Sequence, residues 1–183
     1  MRFYGTFSTI VGILAPLGIV LALGVFSMLV VPGGRAKLRA ALSAWERNLV
    51  GIAALVALIA MSGSLYLSDV VGFLPCSLCW YQRIAMYPLV FVLGVGFLRK
   101  DPSVWFYALP LSLVGAVISW YHVLLQYRPS LEIAACSAGV PCTMRYMLVY
   151  GFVSIPVMAG SAFLLITACM LLVRSLRVTV PRS

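Results

Sequence analysis

The residues best equipped for chemistry in this chain are its cysteines, and four of the five fall in two pairs. Cys76 and Cys79 form a C-x2-C in "LPCSLCWYQR", and Cys136 and Cys142 form a C-x5-C in "CSAGVPC". A C-x2-C pair serves as a thiol–disulfide couple, as half of a zinc site or as a static staple. Pro75 fits at or just before a helix start, which predicts Cys76 and Cys79 in the opening turn of a helix. There the helix dipole favours thiolate over thiol. Arg83 follows Cys79 by four residues, on the same helix face one turn further on.

The elements that must position these groups are membrane helices. Of the 183 residues, 63% are hydrophobic and 9% charged, against about a quarter charged in soluble domains. Uncharged runs at 9–31, 49–68, 103–125 and 147–173 each reach bilayer length, for which about 20 apolar residues suffice. A fifth run, 84–98, spans if it begins near Trp80 and Tyr81. The expectation is an all-α membrane protein, since a barrel would alternate apolar and polar residues and no such alternation is present. The first run is too long for a signal peptide and no small-residue cleavage site follows, so it is expected to be a retained anchor.

A net charge of +9 would suit nucleic acid if it were clustered on one soluble face. Instead it is split between loops. Arg35, Lys37, Arg39, Arg47, Arg99, Lys100, Arg174, Arg177 and Arg182 fall on one side of the predicted spans. Arg2, Arg83, Arg128 and Arg145 fall on the other. The positive-inside rule puts the amino terminus outside and the carboxyl terminus in the cytoplasm, as five spans require. The run 35–47 reads as a topology signal, with contact to anionic lipid as an extra. Four cysteines then lie outside, where disulfides persist, and Cys169 lies in the last span as a small buried apolar residue.

Arginine at a membrane boundary needs a partner, and the nearest upstream acid, Asp69, lies across a loop. A thiolate or a bound polar ligand would serve, and snorkelling to headgroups is the plainer alternative. The four outer cysteines could together bind zinc, although C-x5-C is loose for a structural knuckle. A redox relay between the pairs explains the same residues and their outer position. Gly139 and Pro141 suit a compact turn closed by its own bridge, which a purely structural staple would use equally well. A relay needs an electron acceptor, and the chain shows no haem, dinucleotide or iron–sulfur motif. The bilayer dissolves quinones, and one lodged beside Cys79 would find in Arg83 a cation for its oxygen. His122, the only histidine, lies near the outer end of its span, where it is either an interfacial hydrogen-bonding group or, if it faces Arg83, a donor to the quinone. Gln126, one turn further out, is a weaker candidate for the same site. Trp80, Tyr81, Trp120, Tyr121 and Tyr127 read as an interfacial belt.

"PCSLCWYQR", "YHVLLQYRPS", "CSAGVPCT" and "YGFVSIP" together resemble the disulfide bond formation protein B (DsbB) family, especially bacterial members with a short second cysteine loop. The resemblance covers roughly residues 49–173. It implies a four-helix transmembrane bundle that reoxidises a DsbA-like thioredoxin-fold thiol oxidase and reduces a quinone, either ubiquinone or menaquinone, in the bacterial cytoplasmic membrane. Carried onto this chain, Cys79 is the quinone-facing cysteine and Cys76 its exchange partner. Arg83 is the quinone-site arginine, and His122 is the histidine before the second loop. Cys136 and Cys142 are the pair the partner attacks, with Cys136 forming the mixed disulfide. The helix at 9–31 is an addition to the four-span pattern. The expected organisation is an N-terminal anchor and basic loop at 1–48, the redox domain at 49–173 and a cytoplasmic tail at 174–183. A vitamin K epoxide reductase type of enzyme places its quinone-facing C-x2-C after the loop pair, which disfavours it here. A disulfide-stapled or zinc-holding scaffold without turnover is the alternative outside enzymology.

Overall fold

In a computed structural model the chain is a bundle of membrane-length helices. The structure describes every residue except 1, 32, 43–44, 133–135, 137–138 and 178–183. Among the described residues, five helices are long and apolar enough to cross a bilayer. These are α1 (Arg2–Val30), α3 (Glu46–Leu65), α4 (Ser77–Leu98), α5 (Trp105–Tyr127) and α6 (Ile155–Arg177); a short basic helix, α2 (Gly34–Leu42), links the first two. A π-helical turn, Tyr66–Val70, extends α3.

Four of these helices close a ring in which α3 packs on α4, α4 on α5, α5 on α6 and α6 back on α3. The fifth, α1, stands outside the ring and packs on α6. Burial follows that arrangement: 61% of the best span of α6 is buried, against 17% for α1. Leu89, Leu93, Phe163, Ile166 and Met170 form the centre at 0% exposure. Gly115 admits the Phe163 ring, because a Cβ there would lie 2.1 Å from it. Thr167 and Ser112 are paired as an apolar solvent demands: Thr167 donates to Ser112 across α5 and α6 at 3.0 Å, and Ser112 donates to the Leu109 carbonyl. The buried Tyr87 hydroxyl has no hydrogen-bond partner among the described residues. The outward faces carry Phe91, Phe106, Val117 and similar residues exposed, as lipid contact requires.

One predicted span is corrected. The run 147–173 enters its helix only at Ile155, because Tyr150 and Gly151 take positive φ values of 52° and 79°. They turn the chain so that Val149 and Val153 pair as an isolated antiparallel bridge, and Pro156 then fits the first turn of the new helix. The expected tail at 174–183 is helical to Arg177, and its last residues, including Arg182, lie outside the described ones. Arg177 pairs with Glu46, tying the end of α6 to the start of α3 at the basic end of the bundle.

Candidate functional site

The cysteine-bearing end of the bundle is built by two links. Gly72, at φ 83°, reverses the chain between the π-turn and α4, and the Phe73 N–H returns to the Leu67 carbonyl at 2.9 Å. The chain then runs extended into Cys76, the N-cap of α4, whose sulfur accepts the Cys79 N–H at 3.4 Å. The opening-turn expectation thus resolves into a cap at Cys76 and a first-turn residue at Cys79. The second link, from α5 to α6, closes on itself through a Cys136–Cys142 disulfide. Phe73 stacks on Tyr146 with ring centroids 4.8 Å apart, joining the two links.

Both cysteine pairs belong to one small buried cluster. Cys76, Leu78, Leu125, Cys136 and Cys142 form it, with Cys79, Ile118, Tyr121 and Val140 packed around. The Cys76 and Cys79 sulfurs are 3.0 Å apart as a dithiol. His122 joins the two pairs, its Nε2 lying 2.9 Å from the Cys142 carbonyl oxygen and 3.7 Å from the Cys76 sulfur. A carbonyl only accepts, so Nε2 carries the hydrogen, and Nδ1 accepts from the Gln82 amide at 3.2 Å. The Cys79 thiol, hydrogen-bonded to the Cys76 sulfur, holds Cys76 well below the ordinary thiol range, at about 4, with His122 and the Cys79 N–H in support and burial opposing. The surroundings thus favour the thiolate form of Cys76.

Cys79 also borders a second environment. A cavity of about 360 Å³ lies between α1, α3, α4 and α6, and Cys79, Gln82, Arg83, Ser64, Tyr87 and Tyr146 are among its lining residues. Most of its wall is apolar, including Leu14, Leu17, Ile59, Met86 and Phe163. Arg83 donates from Nε to the Ser64 hydroxyl at 2.9 Å and from Nη2 to the Ser64 carbonyl at 3.1 Å. Its guanidinium sits 5.2 Å from the Trp80 ring centroid. Ser64 is the protein partner that charge arguments alone did not supply.

The predicted residues thus divide between two places. Cys76, Cys136, Cys142 and His122 meet in the cluster; Arg83 lines the cavity; Cys79 belongs to both. Arg83 and His122 share no partner among the described residues. Gln126 stands apart from both, its Oε1 accepting from Ser154 at 2.7 Å and its carbonyl from Arg145. Sequence reasoning missed Gln82, Ser64 and Tyr146. Gln82 had a signal, as a polar residue three after Cys79 on a membrane helix, while Ser64 and Tyr146 are recognisable only from the packing. For zinc, the disulfide removes Cys136 and Cys142 as thiolate ligands. Cys76, Cys79 and His122 offer donor atoms within 4.8 Å of one another, three where a structural zinc takes four.

The profile of the family described as disulfide bond formation protein DsbB matches residues 46–173. Disulfide bond formation protein C of Bacillus subtilis is 49% identical over 120 residues, covering 65% of this chain and 87% of the relative. The probable disulfide formation protein C of Halalkalibacterium halodurans is 50% identical over 120 residues, 65% of this chain and 88% of the relative. The probable disulfide formation protein C 2 of Bacillus cereus is 46% identical over 123 residues, 67% and 88% respectively. No solved structure matches the chain.

Proposed function

The chain belongs to the DsbB family, multi-pass membrane oxidoreductases of disulfide formation, and from that premise we propose that it is a dithiol:quinone oxidoreductase. It reoxidises a DsbA-like thioredoxin-fold thiol oxidase and passes the electrons to the membrane quinone pool. The observation that carries this reading is the double membership of Cys79, which packs in the cluster holding both cysteine pairs and also lines the cavity beside Arg83. The cysteine end faces outside and the carboxyl terminus the cytoplasm, since eight of the twelve described basic residues lie at the other end.

The residues present fit a quinone. The cavity has the size of a small-molecule site, roughly 300–1,000 Å³, and its apolar walls suit a ring with an isoprenoid tail. Arg83 would hold a ring oxygen: Ser64 fixes Nε and Nη2, and Nη1 has no protein partner among the described residues. The chemistry a quinone would supply there is acceptance of two electrons and two protons.

The chain's own chemistry precedes that transfer. A partner thiolate breaks the Cys136–Cys142 disulfide, Cys136 taking the mixed disulfide and Cys142 leaving as thiolate. The partner's second thiol resolves it, so the partner departs oxidised and the loop pair becomes a dithiol. That dithiol reduces a Cys76–Cys79 disulfide, giving the dithiol form the structure holds. Cys76 departs as a stabilised thiolate, and the His122 Nε2–H lies between it and Cys142 to steady the charge. Cys136 and Cys142 are 1% and 0% exposed, so the sulfurs must be uncovered before a protein partner reacts with them.

The test uses purified protein, a reduced thioredoxin-fold oxidase and a short-chain quinone without oxygen. Loss of quinone absorbance matched by one new partner disulfide per quinone is expected. A partner that stays reduced with both ubiquinone- and menaquinone-type acceptors would overturn the reading and make zinc analysis of the Cys76, Cys79 and His122 set the next step.

A further inference from the structure

The first helix has no counterpart in the family match, which begins at residue 46, yet it supplies one wall of the cavity. Val11, Leu14, Ala15, Leu17, Gly18 and Leu21 of α1 line it, and their spacing places them on one helical face. That face is wholly apolar. The sulfur of Cys79, the guanidinium of Arg83 and the Ser64 hydroxyl that holds it come from α3 and α4, across the cavity.

The wall is seated by close packing on α6 and on the turn that precedes it. A Cβ at Gly18 would lie 2.8 Å from Leu165, and one at Gly12 would lie 2.6 Å from Val149. Ala15 and Ala22 are 3% and 0% exposed. Small residues thus fix the α1 backbone against α6, while Leu14 and Leu17 stay half exposed, at 49% and 50%. Because α1 packs chiefly on α6, it leaves a gap facing Arg83. Without α1 this region would be a groove open to lipid. With it, the groove becomes a cleft with apolar residues on both sides.

Resting on the quinone reading above, we propose that α1 is the tail-binding wall of the site. The face Val11–Leu21 grips the isoprenoid tail of a membrane quinone while Arg83 and Ser64 hold its head. Burial of the tail's apolar surface against this face makes affinity depend on tail length.

Binding calorimetry of full-length protein in detergent tests this with two quinones of one head group, one without a tail and one with a short isoprenoid tail. Quinone co-purified from membranes is extracted and measured alongside. The variants are Leu14→Trp and Leu17→Trp, which fill the cleft, and Leu17→Ala, which widens it. Gly18 is left alone because its Cβ would strike Leu165. Single-turnover oxidation of the partner by the loop disulfide checks that each variant is folded.

Wild-type protein is expected to bind the tailed quinone tighter. The tryptophan variants are expected to lose about tenfold for it and no more than about twofold for the head alone, with less quinone co-purified. Leu17→Ala should show a smaller loss of the same kind. Wild type binding both quinones, with variants that bind the tailed one unchanged or lose both equally, would overturn the role of α1 and leave the quinone reading standing. Wild type binding neither quinone would overturn both.

Discussion

The cluster that holds the two cysteine pairs and the cavity beside it meet at one side chain and differ in nearly everything else. The cluster is buried and its polar atoms are paired: His122 is fixed through both ring nitrogens, and Cys76 receives the Cys79 N–H and thiol. The cavity is roomy and mostly apolar, and its one guanidinium is held from one side by Ser64. Sulfur–sulfur exchange needs close contact and a stabilised leaving thiolate, which the first environment provides. Two-electron transfer to a lipid-soluble acceptor needs space and a cation, which the second provides. On the proposed function, the comparison teaches that the two half-reactions occupy separate environments, so substitutions should separate them in kinetics.

The largest separation is expected from the loop pair. Cys136→Ser should abolish oxidation of a protein partner while leaving quinone reduction driven by a small dithiol, which reaches Cys76–Cys79 directly; steady-state rates with the two donors check this. Next, Arg83→Ala should slow quinone reduction by about 100-fold, the usual cost of losing one charge-stabilising donor. Single-turnover exchange between the cysteine pairs should change little, as followed by thiol trapping and gel shift.

His122→Ala should act on the opposite side of the comparison. The folded Cys76 value near 4 lies below the ordinary thiol value, about 8.5, so the thiolate is present above pH ~4 and is lost as pH falls through it. Alkylation of Cys76 should therefore be flat at neutral pH with a midpoint near 4, and His122→Ala should move that midpoint upward. An unshifted midpoint would remove His122 from the exchange chemistry. The smallest effect is expected from Ser64→Ala. It removes one neutral acceptor from Arg83, at about 0.5–1.5 kcal/mol, and should lower quinone turnover a few-fold without touching exchange.

The sequence made the helices legible because charge is so scarce that each uncharged run announces a span. It did not show where the last span begins: residues 147–154 are as apolar as a helix, and only the positive φ at Tyr150 and Gly151 makes them a turn. The cysteine pairs and Arg83 were legible through local spacing, since a cap, a first turn and an i,i+4 neighbour follow from one helix start at Pro75. Contacts between elements were not. The partner of Arg83 lies on α3, the hydrogen-bonding partners of His122 lie on α4 and in the loop, and Gln126 is taken up by Ser154 and Arg145. The role of α1 as a cavity wall likewise depends on how it docks on α6.

The most direct test of Cys79 as the junction is a split assay on Cys79→Ser. Partner oxidation by the loop disulfide and quinone absorbance are followed together after one addition of reduced partner. One turnover of partner oxidation with no loss of quinone is the predicted result. Continued quinone loss in that variant would mean that electrons leave the cluster by another route, and the account would fail at its centre.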